Sequence, residues 1–192
     1  YNIGLIALQM GRMDVAATML LKAATLAPSA DVYSLLGLAL MNNNQESQAI
    51  SSYQKAITLN PNEYMAHDYL GVLLCKQNRY QEGLTHFHQA IAIHPNESSA
   101  LNNLALCLMQ QGRYIEAADY FRQAIAIEPH IHTAHHNLLL CLCFDGNAFP
   151  KVYLEEAARL DKILCTQSIA YTQWPSAILS SQQPLRIGLV SG

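Results

Sequence analysis

The sequence predicts an all-α solenoid of stacked helix pairs, and three observations carry that prediction. Prolines recur at a fixed interval: Pro61, Pro95 and Pro129 stand 34 residues apart, and Pro28 lies 33 before Pro61. The segments ending at the last three align as AISSYQKAITLNP, GLTHFHQAIAIHP and AADYFRQAIAIEP. Small residues fall in columns of the same period: Gly4, Gly37, Gly71 and Ala105, then Ala16, Ala49, Gly83 and Ala117, then Ala23, Ala56, Ala90 and Ala124. A period of this length marks a repeat array. One helix pair cannot bury its own apolar face, so neighbours stack into a superhelix with a concave groove.

Each element follows from local chemistry. Two helices approach to about 8–10 Å only where the crossing residues are small, which accounts for the Gly and Ala columns. Large residues at helical spacing fill the space between, as with Leu70, Leu74, Tyr80, Leu84 and Phe87. The aromatic column is Tyr53, Phe87 and Phe121, with Leu20 in its place in the first pair. Proline stops the second helix of each pair, and Pro-Asn-Glu at Pro61 and Pro95 helps to start the next. Gln77–Tyr80 and Gln111–Tyr114 mark the turns inside the third and fourth pairs.

A fifth pair begins with a helix over His132–Phe144, but Leu139 occupies its small crossing position. A leucine there holds off the partner helix, so a differently packed element is expected to follow. Asp145-Gly146-Asn147 is a turn signal, and Pro150 suits the first position of a helix. Tyr153, Ala157, Leu160 and Leu164 give that capping helix one apolar face. Beyond Cys165 periodicity is lost, and Ile187–Val190, bounded by Ser191-Gly192, has the pattern of a buried strand.

Composition excludes several classes. Of 192 residues, 51% are hydrophobic and 13% charged, which rules against wholesale disorder. Net charge is −3 with the basic residues scattered, so no footprint for a nucleic-acid backbone exists. The longest apolar run, Leu138–Phe144, is seven residues against the roughly 18 a bilayer span needs. Cys75, Cys107, Cys141, Cys143 and Cys165 show no zinc-type pairing, and the reading from sequence is five thiols in a reducing, cytoplasmic compartment. Cys107 and Cys141 are apolar fillers, while Cys75 and Cys143 are expected to line the groove wall.

The 34-residue signature over residues 1–144 resembles the tetratricopeptide repeat family, which implies a right-handed superhelix that binds proteins or peptides. The order of parts is similar to the O-linked N-acetylglucosamine transferase family, particularly its bacterial members. There an array and an irregular linker, here residues 145–184, lead into a Rossmann-like glycosyltransferase opening with a strand like Arg186-Ile187-Gly188-Leu189-Val190-Ser191; Leu189 stands in place of the family's tyrosine. Residues 185–192 would be the start of that domain, and a UDP-sugar would be its donor. Nothing catalytic transfers to these residues, which leaves the role of positioning protein acceptors.

The resemblance also implies a column of inner-surface asparagines that bind a client's backbone. The matching residues are Leu35, Tyr69, Asn103 and Asn137, so two of four fit. An amide both donates and accepts, and therefore brackets a peptide unit whatever side chains flank it. His136 falls on the same inner face. Met65, Met109 and Tyr69 offer an adaptable apolar surface. The cluster His130, His132, His135 and His136 invites a metal reading, with His132 and His136 one turn apart, but no acidic residue or cysteine supports it at a ligand spacing. Two other functions stay open: a stand-alone adaptor for complex assembly, and an array fused to another Rossmann-like enzyme such as a methyltransferase. Homo-oligomerisation stays open as well.

Overall fold

The computed structural model describes residues 1–144 and 150–167. The expected linker beyond 167 and the strand at 185–192 lie outside the described residues, as does the Asp145–Asn147 turn. Ten helices follow one another, with no strand among the described residues: α1 (Asn2–Gln9), α2 (Met13–Leu26), α3 (Ala30–Asn42), α4 (Glu46–Leu59), α5 (Tyr64–Lys76), α6 (Tyr80–Ile93), α7 (Ser98–Gln110), α8 (Tyr114–Ile127), α9 (His132–Phe144) and α10 (Pro150–Gln167). Each packs on the next, and the odd-numbered helices also meet one another along one side.

The columns do what steric reasoning requires. A Cβ on Gly37 would stand 2.5 Å from the Tyr53 ring, and one on Gly71 2.8 Å from the Phe87 ring. Those aromatics, with Phe121 and Leu20, are the largest fully buried side chains. Ala16, Ala49, Ala56, Ala90, Ala105, Ala117 and Ala124 are all at 0% exposure, so the small columns are the contact lines between helices. Ala23, the third-column residue of the first pair, is half-buried against the same core.

The turn within each pair repeats one device. Gly11, Asn44, Asn78 and Gly112 sit at φ of 58–74°, the left-handed region that Gly and Asn enter most readily. In the third pair Asn78 N–H donates to Cys75 C=O and Arg79 N–H to Leu74 C=O, which closes a Schellman cap. The other three turns carry the same pair of bonds. Ser29 caps α3 through its hydroxyl, which accepts from Val32 N–H.

Two expectations are corrected here. Cys75 is buried and forms a disulfide with Cys107, with Cα atoms 6.1 Å apart, so it neither lines the groove nor remains a thiol. The pairing joins non-equivalent positions, 32 residues apart rather than one repeat, across the α5–α7 contact. It also removes the cysteine argument for a reducing compartment. Cys141 is a buried free thiol, as an apolar filler should be, and Cys143 is exposed.

The second correction concerns α10. It does begin at Pro150 and lies against α9, but Tyr153 of its expected apolar face is exposed. Ala157 and Leu160 are half-buried, and the most buried described residue of α10 is Glu156, at 6% exposure. Leu139 is half-buried. The joint between α9 and α10 is thus anchored by a polar contact, where the earlier pairs set a small crossing residue against Leu20 in the first and an aromatic in the next three.

Candidate peptide-binding surface

The odd-numbered helices form the inner wall, and two adjacent columns face each other along the seams between them. One column is Ser34, Asp68, Asn102 and His136; the other is Leu35, Tyr69, Asn103 and Asn137. The seam shows directly at the α5–α7 contact, where the Asn103 amide donates to both carboxylate oxygens of Asp68, at 3.1 and 3.3 Å. Residues 35 apart therefore meet, one helix leaning on the next.

Each expected site residue lands on this wall, with different freedom. Tyr69 is half-buried and stacks on Tyr53, ring centroids 5.9 Å apart. Asn103 is half-buried and its amide nitrogen is engaged by Asp68, while its amide oxygen makes no side-chain hydrogen bond to another described residue. Asn137 is half-buried and makes no side-chain hydrogen bond to another described residue, which leaves its donor and acceptor both available. His136 is exposed. The wall does not bring the four into one pocket. They form a line across α5, α7 and α9.

Asp68 is the residue of this wall that the column comparison missed. It is 3% exposed, and burial pushes its carboxyl up to about 6, opposed by the Asn103 hydrogen bond and reinforced by the charge of Glu97. Tyr69 is raised by its own burial, then by Asp68 and Glu97. Tyr53 is raised by burial, then by Tyr69 and Asp68, and its hydroxyl finds no partner among the described residues. An acid buried beside His67, on a helix whose later turns are mostly apolar, was the available signal.

Behind the wall, two histidines fasten the loop before a pair to the second helix of that pair. His67 Nε2 donates to Pro61 C=O at 3.1 Å, and His135 Nε2 to Pro129 C=O at 3.0 Å. Their other nitrogens meet His86 Nδ1 at 3.0 Å and Glu156 Oε1, while Arg159 donates to the other oxygen of Glu156, Oε2, at 3.3 Å. His135 is thereby committed to structure, and no group of three or more metal-ligating side chains exists among the described residues.

Models of the tetratricopeptide repeat match residues 1–29, 30–63 and 62–130. Together they cover more than half of the chain. The chain belongs to the tetratricopeptide repeat family. Solved structures agree on the tetratricopeptide fold: MamA 41-end from Desulfovibrio magneticus RS-1 superposes with TM-score 0.76 at 21% identity, covering 87% of this chain and 94% of that one. Pseudomonas aeruginosa pilF gives 0.74 at 21% identity, covering 87% and 74%. At such identity the likeness concerns the fold. No curated protein matches the chain. Family membership makes this tetratricopeptide array a protein-interaction module, and no helix among the described residues is long and apolar enough to cross a membrane.

Proposed function

We propose that the array holds an extended segment of a protein client along the line Tyr69, Asn103, Asn137 and His136, and delivers it to a UDP-sugar-dependent O-linked N-acetylglucosamine transferase in the same polypeptide. The observation that carries the binding half is the unengaged amide of Asn137 beside exposed His136, next to a seam where Asn103 still offers an acceptor. Each neutral bond nets about 0.5–1.5 kcal/mol, so recognition is weak per contact and broad in sequence. The catalytic half rests on the order of parts, an array followed by Pro184-Leu185-Arg186-Ile187-Gly188-Leu189-Val190. The proposal needs no particular compartment, and the disulfide leaves the earlier cytoplasmic reading without its main support.

The test uses the natural protein carrying these residues, incubated with labelled UDP-N-acetylglucosamine and a lysate, beside a form lacking residues 1–144. Label on many proteins with the intact form, and much less with the truncated one, supports both halves. Absence of transfer and of UDP-sugar binding overturns the catalytic half. The competing reading is a stand-alone adaptor. It is favoured by arrays such as MamA that align with this one over 94% of their own length.

A further inference from the structure

The repeat interior holds a cleft that the inner-surface reading does not use. It lies between α2 and α4 over α3, with a volume of about 530 Å³, inside the range of about 300–1,000 Å³ typical of ligand pockets. Leu36 and Leu40 form its floor, and Tyr33 stands on one side with the Lys55 ammonium 5.5 Å above its ring. Tyr33 is two residues from Leu35, about 200° round the helix, so this cleft opens away from the peptide-binding wall.

The molecule itself shows what fits there. Ser52, His86 and Tyr120 are equivalent positions, 34 residues apart on α4, α6 and α8. Between α4 and α6 the place is filled by the His86 ring, 5.2 Å from the ring of His67, which is the counterpart of Tyr33. Between α6 and α8 it is filled by Tyr120, set edge-on to His88 at 6.5 Å. Between α2 and α4 only Ser52 is present, and its hydroxyl donates back to Gln48 C=O at 2.9 Å instead of reaching across. Ala24 widens the opening further, since its counterparts Ile57, Ile91 and Ile125 are larger.

We infer that the α2–α4 cleft is a docking site for an aromatic side chain of a protein partner, tyrosine above all. The incoming ring takes the place that His86 and Tyr120 hold in the next two clefts. It meets the π-face of Tyr33, and Lys55, which forms no ion pair among the described residues, donates to the phenolic oxygen. The rim residues Asp14, Thr18 and Thr25 are exposed, so the partner's backbone stays in solvent while its side chain is buried.

The test titrates N-acetyl-L-tyrosinamide, with N-acetyl-L-leucinamide as control, into the whole chain and follows the methyl resonances of Ala17, Ala24, Leu36 and Leu40. The expected result is saturable shifts confined to those methyls, with the leucine derivative binding several-fold more weakly. Ser52→His closes the cleft with the side chain that α6 already uses and abolishes the shifts. Lys55→Ala, at an exposed position that tolerates truncation, weakens binding about two- to fivefold. Absence of saturable shifts, equal binding of the leucine derivative, or unchanged binding by a folded Ser52→His variant overturns the inference. Should Ser52→His not fold, Lys55→Ala decides: unchanged affinity overturns it as well.

Discussion

The first four helix pairs and the fifth solve the same packing problem with different chemistry. In α3–α4, α5–α6 and α7–α8, Gly37, Gly71 and Ala105 let a buried aromatic lie flat against the crossing. In α9–α10, Leu139 occupies that position, and the buried contact is His135 with Glu156. A crossing built on small residues transmits cooperativity, because its energy is shared among many dispersion contacts. One anchored on a single polar pair is local, and its loss stays local.

The comparison breaks most visibly at the aromatic column. Phe121→Ala removes a fully buried ring from the crossing of α7 and α8, at a cost of about 3–5 kcal/mol. Calorimetry should show the transition of the whole array falling by many degrees. The Cys75–Cys107 bond comes next. It closes a long loop inside the array, so Cys75→Ser with Cys107→Ser, or a reductant, is expected to remove about 2–4 kcal/mol. Mass spectrometry after alkylation under native-redox conditions checks the pairing itself.

Glu156→Ala gives a smaller and confined effect. It leaves His135 Nδ1 buried without its partner, which costs about 1–3 kcal/mol. Amide exchange should accelerate in α10 while α3–α8 keep their protection. Fast exchange spreading through the entire array would refute the contrast between the two regions.

A stability effect of similar size has the opposite sign. The Asp68 carboxyl is raised, so the folded chain binds its proton up to about pH 6 while the unfolded chain releases it near 3.8. The folded state therefore holds more protons between those values, and stability falls as pH rises through that window. Asp68→Asn removes the cost of burying the charge. It should raise stability by about 1–3 kcal/mol at pH 7–8, nothing at pH 3, and flatten the profile between.

Much of the fold was legible because a repeat prints its packing constraints several times. The columns of Gly37, Ala49 and Ala56 and their counterparts located the crossings, and Pro150 located the start of α10. What columns do not reveal is which non-equivalent positions meet. The Asn103–Asp68 bond spans 35 residues and the Cys75–Cys107 bond spans 32, and neither follows from aligning a residue with its own counterparts. That Tyr69, Asn103, Asn137 and His136 stand on odd-numbered helices was legible, but their bonding was not. Only the geometry shows that Asn103 spends its donor on Asp68 while Asn137 keeps its own. The α10 face was misread because an apolar stripe predicts an apolar joint, whereas the deepest contact is Glu156.

The central claim is that the wall at α7 and α9 holds the client. In the natural protein carrying these residues, Asn137→Ala with His136→Ala should be compared with Gln123→Ala on the exposed side of α8, using labelled UDP-N-acetylglucosamine and a protein lysate. Loss of about one to two hydrogen bonds predicts a several-fold drop in acceptor labelling for the double variant, with hydrolysis of the sugar donor unchanged. Gln123→Ala should label like the parent. Equal labelling by all three proteins, with the double variant folded, would contradict the account.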